Sequence, residues 1–467
     1  MSEVFLINPN YMEELYGRRV MSVHPPLGLA YLASYLQKKE ISVEILDANA
    51  LNLSEGEIVK RVVNSESKFI GIGSTSAIAE ISFRLCEKIK RESPFKVIIY
   101  GGIHISCLTE DSLRKCPAID YAVIGEGEFI LYNLIKAIKA GKTIKKIKGV
   151  AFINKKGKFI QTQAEDLIEN LNVLPFPARD LLPTHLYRPS SEFDMGFRGK
   201  EYGEILTSRG CPNKCVYCSS AHFWKRIRIR GIEDIYEEIK NLNEKGVKYL
   251  TFLDDTFTIS EKRVIELCNK IRPLKLKWDC YARVNNLTDK MIRAMKDAGC
   301  LGMRIGFESG NDDMLKKIKK NTTIDQARKA MKIIKKYNLK TFGFFMIGLP
   351  EDTRETIEQT ISFAIEIEPT FASFAITTPF PGTEMFQDYI DKNWLPKNMN
   401  PHNMTLHSSD LTRTDQLNSS EILEYYRKAK RAFYLRPRYF YRIIGYLFRH
   451  PNELKIYSLR LLSKLKK

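Results

Sequence analysis

Short apolar runs alternate with amphipathic stretches along the first 140 residues of the chain. Each run is continuous, which is typical of strands that are buried on both faces of a parallel sheet. The runs span residues 4–8, 41–47, 69–73, 97–100 and 121–125. Because helix-like segments separate them, the pattern predicts a doubly wound α/β domain with five parallel strands over residues 1–145.

Small or polar residues follow every predicted strand, at the edge where open α/β sheets bind ligands. These segments are Asn8-Pro9, Asp47-Ala48-Asn49, Ser74-Thr75-Ser76, Gly101-Gly102-Ile103-His104 and Gly125-Glu126-Gly127-Glu128. Glycine lets a backbone approach a ligand closely, and the alternative is that these glycines only make tight turns. Neither G-x-G-x-x-G nor G-x-x-x-x-G-K-S/T occurs, which disfavours a dinucleotide or a P-loop nucleoside triphosphate.

A second series of apolar runs begins after residue 200, at 204–207, 249–253, 276–282, 302–307, 340–347 and 371–377. Between the two series, residues 149–162 predict a hairpin around Lys156-Gly157, and the prolines of 174–189 predict a linker. We therefore expect a boundary between two domains near residues 165–200.

Three cysteines in RGCPNKCVYCSS are the most informative feature of the second series. Cys211, Cys215 and Cys218 follow the first run at spacings of four and three, and three such thiolates can hold three irons of a 4Fe–4S cluster. Structural zinc needs a fourth ligand, and His222, the nearest candidate, is at an awkward spacing for a zinc finger. The other cysteines are predicted to lie in the core: Cys86, Cys107, Cys116, Cys268, Cys280 and Cys300.

Composition and charge add limits on location and partners. The chain has 467 residues, 44% of them hydrophobic, and no apolar run of the roughly 18 residues that span a membrane, so we expect a folded cytoplasmic protein. The net charge is +19, and residues 421–467 contain thirteen Lys or Arg, three Glu and many aromatic residues. Such a tail is suited to a membrane surface, nucleic acid or a phosphorylated substrate, and a solvated helical cap is the alternative.

Nine motifs, in order along the chain, resemble the cobalamin-dependent branch of the radical S-adenosylmethionine (SAM) superfamily. They are PPLGLAYLASYL, YGGIHIS, IGEGE, TSRGCPNKCVYCSS, FLDDTF, ARVNNL, GFESG, MIGLP and PFPGT. The branch includes anaerobic magnesium-protoporphyrin monomethyl ester cyclase and hopanoid-modifying enzymes. The resemblance implies an α/β protein with a Rossmann-like cobalamin-binding domain (1–145), a hairpin and linker (146–200), a partial (βα)6 radical SAM barrel (201–392) and a basic, aromatic-rich helical C-terminal region (393–467).

The resemblance also implies the residues of a SAM site. Cys211, Cys215 and Cys218 would ligate the cluster that cleaves SAM, and SAM would chelate the open iron. Further SAM contacts are expected from Tyr217, Asp254, Arg283, Glu308 and Ser309. The alternatives are an ion pair at the barrel rim for Arg283 and Glu308, and a helix cap for Asp254 and its neighbour Asp255.

For cobalamin, the resemblance points to the ligand edge of the first domain. The expected contacts are Ser74, Thr75, Ser76, Gly101, Gly102, His104, Gly125 and Gly127. The D-x-H-x-x-G motif that supplies a lower axial histidine in better-known cobalamin proteins is missing, and His104 has the alternative of bonding to backbone in its turn. The lower face of cobalt would then bind water or nothing.

The function implied is a 5′-deoxyadenosyl radical enzyme that methylates, cyclises or rearranges an unactivated carbon of a hydrophobic, lipid or tetrapyrrole-like substrate. Two alternatives remain: a radical SAM methylthiotransferase without cobalamin, and a metal-containing nucleic-acid-binding protein. Expected partners are the substrate, an electron donor such as flavodoxin or ferredoxin, and a membrane surface at the basic C-terminal region. Nucleic acid is not an expected partner of the enzyme.

Overall fold

A mixed sheet and a parallel sheet, each packed against helices, form the molecule. A computed structural model describes residues 2–16, 22–189, 197, 199–396, 404, 411–439 and 441. The first sheet has the order β2-β1-β3-β4-β5-β6-β7. Its strands are β1 (Val4–Asn8), β2 (Val43–Asp47), β3 (Phe69–Gly73), β4 (Val97–Gly101), β5 (Tyr121–Val123), β6 (Val150–Ile153) and β7 (Phe159–Gln161). Its helices are α1 (Met12–Tyr16), α2 (Leu27–Lys38), α3 (Glu55–Asn64), α4 (Ala79–Glu92), α5 (Ile103–Cys107), α6 (Thr109–Lys115) and α7 (Gly127–Lys139).

Strand β1 shows why the apolar runs are continuous. Val4 and Leu6 pack into the core on one face of the sheet, whereas Phe5 and Ile7 pack into the core on the other face. Helices α2 and α7 cover the first face, and α3 and α4 cover the second. Strands β1 to β5 pair in parallel, and the predicted hairpin adds β6 and β7 as antiparallel strands.

The second sheet is a six-stranded parallel partial barrel in which the strands follow chain order, β8-β11-β12-β13-β14-β15. These strands are β8 (Tyr202–Ile205), β11 (Tyr249–Phe252), β12 (Lys277–Ala282), β13 (Cys300–Glu308), β14 (Lys340–Ile347) and β15 (Phe371–Ile376), and β9 (Ser208–Arg209) pairs with β10 (Arg228–Ile229) beside them. The helices are α8 (Ser219–Phe223), α9 (Ile232–Glu244), α10 (Glu261–Ile271), α11 (Asp289–Asp297), α12 (Asp312–Lys317), α13 (Ile324–Lys336), α14 (Arg354–Ile367), α15 (Glu384–Asp391) and α16 (Ser419–Tyr434).

Side chains alternate between the two faces of the barrel strands. On β12, Trp278 and Cys280 enter the core that the outer helices cover, while Asp279 between them accepts a hydrogen bond of 3.1 Å from Thr251 of the neighbouring strand. The predicted fold class is confirmed, and the predicted strand ends lie within two residues of the observed ones. In the described part of the chain, no helix is long and apolar enough to cross a membrane.

Helix α16 covers the last strand of the barrel. Its side chains Ile422, Tyr426 and Phe433 are buried against the barrel core. The hydroxyl of Tyr434 accepts a hydrogen bond from the backbone N–H of Ala372 on β15 and donates one to the carbonyl oxygen of the same residue. Several aromatic residues of the predicted basic region therefore belong to the protein interior. Residues 440 and 442–467, which carry the rest of that prediction, lie outside the described residues.

Candidate functional site

A cavity of about 750 Å³ lies between the carboxyl edge of the first sheet and the mouth of the barrel. Both domains line it. The first domain contributes Asn8, Tyr11, Gly28, Leu29, Gly73, Ser74, Thr75, Gly101, Gly102, Gly125, Glu126, Gly127 and Glu128, and the second contributes Leu206, Ser208, Arg209, Gly210, Phe223, Trp224, Leu253 and Asp255. The ligand edge expected from the strand pattern thus faces the segment that carries the cysteines.

The wall formed by the ends of β3, β4 and β5 is called the glycine edge here, and it consists of Ser74, Thr75, Gly101, Gly102, Gly125 and Gly127. Gly102 has φ +98°, and a Cβ atom there would lie 2.6 Å from the carbonyl oxygen of Ser74. Gly125 has φ +91° but no atom within 4 Å of such a Cβ. The first glycine is therefore needed by the fold, whereas the second leaves open space for a ligand.

Ser76 and His104 lie behind this wall. The Nδ1 atom of His104 is 3.1 Å from the hydroxyl oxygen of Ser76, and the imidazole is only 2% exposed. Burial lowers the pKa of His104 to about 4, with a smaller contribution from Lys115, so the ring is neutral at physiological pH. Of the eight residues predicted to contact cobalamin, these two do not line the cavity.

The cysteine loop, residues 211–218, leaves the barrel directly after β9. Cys211 Sγ lies 3.6 Å from the hydroxyl of Thr256, which follows β11, and Cys215 Sγ lies 3.8 Å from Arg283 Nη1, which follows β12. Among the described residues, no three His, Cys, Asp or Glu side chains surround a position for a single metal ion. Three thiols from one loop, at the carboxyl ends of barrel strands, are a donor set that can hold a 4Fe–4S cluster with one open iron.

Tyr217 of the loop forms a polar group with the buried residues Glu308 and Lys320. Lys320 Nζ lies 2.6 Å from Glu308 Oε1, and the Tyr217 hydroxyl donates to the same oxygen over 3.0 Å. Burial, and then the carboxylate of Glu308, raises the pKa of Tyr217, so its hydroxyl keeps its proton and acts as a donor. Glu308 has φ +67°, which is strained for a residue with a side chain and is typical of functional sites.

Space for this group comes from Gly306, two residues before Glu308. A Cβ atom at Gly306 would overlap the Glu308 carboxylate and lie 2.8 Å from Lys320 Nζ. The register of β13 against β14 also shifts between Gly306 and Glu308. Glycine and the shift together let the carboxylate turn back over its own strand.

The remaining predicted SAM residues differ in their surroundings. The carboxylate of Asp254 is fully buried and accepts hydrogen bonds from the backbone N–H groups of Thr207 (2.7 Å) and Ser208 (2.6 Å). Ser309 is 1% exposed, and its hydroxyl oxygen lies 3.2 Å from that of Thr360 on α14. Asp254 and Ser309 therefore hold the strand ends in place.

Asp255 faces the cavity, unlike Asp254 before it. Its Oδ2 atom accepts a hydrogen bond of 2.5 Å from Ser220, two residues after the last cysteine of the loop. Burial raises the pKa of Asp255, and the charge of Asp254 adds to the effect. A carboxylate at this position can bind hydrogen-bond donors of a ligand in the cavity.

Sequence reasoning missed three residues of the site: Lys320, Ser208 and Arg209. Lys320 belongs to a run of lysines whose neighbours Lys317 and Lys319 are on the surface, so no local signal marks it. Ser208 is 2% exposed and lines the cavity, and within the described residues its hydroxyl has no hydrogen-bond partner. An unpartnered buried hydroxyl on a cavity wall is placed to bind a ligand.

Known proteins resemble each half of this site. Residues 14–135 match the B12 binding domain family, and residues 205–364 match the Radical SAM superfamily. An uncharacterized methyltransferase of Pyrococcus horikoshii is 35% identical over 430 residues, 91% of each chain. The anaerobic magnesium-protoporphyrin IX monomethyl ester cyclase of Rubrivivax gelatinosus is 30% identical over 400 residues, 83% of this chain and 70% of the cyclase. The chain belongs to the cobalamin-binding radical SAM enzymes.

Solved structures of two cobalamin-binding radical SAM enzymes share the fold. OxsB, solved with aqua-cobalamin and SAM bound, superposes with a TM-score of 0.75 at 17% identity and covers 96% of this chain and 70% of its own. TsrM from Kitasatospora setae, solved with cobalamin and a 4Fe–4S cluster, gives 0.69 at 19% identity, with 84% and 75% covered.

Membership of the cobalamin-binding radical SAM enzymes confirms the predicted family and enzyme class, and decides against a nucleic-acid-binding protein with a structural metal. The B12 binding domain favours cobalamin-dependent chemistry over a methylthiotransferase without cobalamin. The cofactors of the family are the 4Fe–4S cluster, SAM and cobalamin.

Proposed function

We propose that this enzyme methylates or cyclises an unactivated carbon of a hydrophobic substrate, with SAM at the cysteine loop and cobalamin in the cavity between the domains. The observation that carries the proposal is one cavity that is lined by the glycine edge on one side and, on the other, by Ser208, Arg209 and Gly210, the residues directly before the cysteine loop. Such an arrangement lets two cofactors act on a substrate held between them.

The cluster would be held by Cys211, Cys215 and Cys218, and with SAM it supplies a 5′-deoxyadenosyl radical that removes hydrogen from carbon. SAM carries a carboxylate, an amino group and a ribose. We assign Lys320 and Arg283 as hydrogen-bond donors to the SAM carboxylate. Glu308 and Tyr217 are assigned as acceptors from the SAM amino group and the ribose hydroxyls. Asp254 and Ser309 act as positioning residues, because their polar atoms are used within the protein.

Cobalamin would lie against the glycine edge, where it supplies a methyl carrier or an electron-transfer partner. Ser74 and Thr75 offer hydroxyls, and Gly125 leaves space for close approach of the macrocycle. His104 and Ser76 support the wall from behind, so we assign neither as a ligand of cobalt. On the barrel side, the hydroxyl of Ser208 would be available to hydrogen-bond to bound cobalamin.

The relatives include both a methyltransferase and a cyclase, so the reaction type is proposed at the level of carbon–carbon bond formation. Leu206, Phe223 and Leu253 line the barrel side of the cavity and support a hydrophobic substrate. An electron donor such as flavodoxin or ferredoxin, and a cytoplasmic location, complete the proposal.

The experiment that tests this function is anaerobic reconstitution with iron, sulfide and hydroxocobalamin, followed by absorbance spectra and dithionite-driven SAM cleavage. We expect bound cobalamin and 5′-deoxyadenosine from the wild type. Cys215→Ala should retain cobalamin and form no 5′-deoxyadenosine, because two thiolates do not hold the cluster. Cys107→Ala, outside the loop, is the matched control and should cleave SAM. A wild type without cluster or cobalamin would contradict the proposal.

The proposal also includes the predicted membrane contact of the C-terminal region. Tyr426, Phe433 and Tyr434 pack into the barrel core and are not free to enter a membrane, while Tyr441 is 75% exposed. The contact would therefore involve Tyr441 and the residues that follow it. Deletion of residues 442–467 should abolish partitioning to anionic liposomes, and unchanged partitioning would remove the membrane from the proposal.

A further inference from the structure

Four buried charged side chains join the two domains beside the cavity. Arg209 donates to Glu126 over 2.6 Å through Nη1 and to Glu128 over 2.6 Å through Nη2. Arg228, paired with Arg209 across the β9-β10 ladder, also donates to Glu126. Every one of the four is less than a tenth exposed. These residues, Glu126, Glu128, Arg209 and Arg228, are called the Arg–Glu clamp below.

The clamp connects the two cofactor sites along very short stretches of chain. On the barrel side, only Gly210 separates Arg209 from Cys211, the first residue of the cysteine loop. Gly210 has φ +89°, and a Cβ atom there would overlap the carbonyl oxygen of Arg226, so this junction is tightly fixed. On the other side, Glu126 and Glu128 flank Gly127 of the glycine edge.

Arginine is suited to this position because its planar fork donates to two carboxylates at once. The guanidinium of Arg209 also lies over the ring of Tyr31 on α2, with Cζ 5.2 Å from the ring centroid, and 5.8 Å from that of Trp224 after α8. Its place is thus fixed from both domains. A shift of the Gly125–Glu128 turn would move both acceptors and, through Arg209, the start of the cysteine loop.

We propose that Arg209 is a positioning residue that couples the two cofactor sites. When a corrinoid fills the cavity it fixes the Gly125–Glu128 turn, the clamp then fixes the start of the cysteine loop, and SAM binds more tightly. By linkage, SAM strengthens corrinoid binding by the same factor. The inference rests on the proposed function, because it places cobalamin in the cavity and SAM at the loop.

The test is the affinity for SAM of the cluster-loaded enzyme, measured by anaerobic equilibrium dialysis with and without saturating hydroxocobalamin. The reductant is omitted so that SAM is not cleaved. For the wild type we expect SAM binding to be at least about 5-fold tighter with hydroxocobalamin. In Arg209→Lys, which keeps the charge but loses the fork, this ratio should fall to about 1. A purely structural role would weaken both affinities and leave the ratio unchanged.

Arg230→Lys is the matched control. Arg230 is also buried and paired, but its carboxylate partners Asp234 and Glu238 are on the same domain. Its contact with the first domain, 3.5 Å from the Tyr31 hydroxyl, involves no carboxylate, so the coupling ratio should stay as in the wild type. If Arg209→Lys does not fold, Glu128→Gln replaces one of the two charged acceptors with a neutral amide and should lower the ratio in the same direction.

The outcomes separate this inference from the function on which it rests. A wild type that binds hydroxocobalamin and SAM independently, or an Arg209→Lys variant that keeps the full ratio, overturns the coupling alone. A wild type that binds no corrinoid overturns the proposed function itself.

Discussion

The glycine edge and the group of charged residues beside the cysteine loop use different chemistry. At the ends of β3 and β4 the wall is backbone and hydroxyl groups, with no charged side chain. At the barrel mouth, Arg283, Glu308 and Lys320 are charged and buried beside the cysteine loop. From this comparison we expect a large, mostly neutral ligand to be held by close backbone approach, and a small charged one by paired charges.

The largest effect is expected at the barrel mouth, from Lys320→Met. Removing one partner of the buried Lys320–Glu308 pair leaves an uncompensated carboxylate and should cost about 3–5 kcal/mol of unfolding free energy. SAM binding should be lost while the absorbance of bound cobalamin remains. Urea denaturation and equilibrium dialysis measure the two effects.

Lys319→Met is the control for that variant. Lys319 pairs with Glu384, but both side chains are more than half exposed, so the change should cost at most about 1 kcal/mol. Equal losses from the two variants would show that burial of the Lys320–Glu308 pair is unimportant.

The next effect concerns the first domain and its pH dependence. The pKa of His104 is lowered to about 4 in the folded chain. Between pH 4 and 6.5, His104 is therefore protonated in the unfolded chain and neutral in the folded chain. The free energy of unfolding should therefore rise by about 3 kcal/mol across that window as pH increases. His104→Asn should remove this contribution, as measured by denaturation at several pH values. An unchanged slope in the variant would contradict the neutral, buried imidazole.

A smaller effect is expected from Gly102→Ala in the glycine edge. A methyl group would meet the Ser74 carbonyl in a backbone conformation that favours glycine, at a cost of about 2 kcal/mol. Because the edge would move, hydroxocobalamin should bind more weakly, as followed by absorbance titration, while SAM cleavage persists.

Gly125→Ala tests the other half of that comparison. Gly125 also has positive φ, but its Cβ position is open, so the stability loss should be smaller, about 1 kcal/mol. A larger loss from Gly125→Ala than from Gly102→Ala would contradict the separate roles given to these two glycines.

Short sequence patterns predicted the features that lie within a few consecutive residues. The strands appear as continuous apolar runs, and the cysteine loop and the glycine edge each lie within a few consecutive residues. Six of the eight predicted cobalamin contacts line the cavity for this reason. His104 and Ser76 do not, because the imidazole of His104 on α5 is buried against the hydroxyl of Ser76 and not directed into the cavity.

The parts that could not be predicted depend on distance in space. Arg209 is separated from Glu126 by 83 residues, and nothing in either segment indicates the other. Lys320 differs from Lys319 only in which side of its turn faces the barrel interior. For Asp254, the motif indicated a carboxylate at a strand end but not that backbone N–H groups would occupy it.

The hydroxyl of Tyr434 on α16 has a consequence for how such a barrel can vary. An open barrel ends in a strand whose free backbone groups are a template for strands of other molecules, and aggregation follows. Here one phenol engages both backbone groups of Ala372 on that strand, without a seventh strand. At this residue the strand edge is capped by a side chain of a packed helix, so the barrel can end at its sixth strand without leaving these two backbone groups open to another strand.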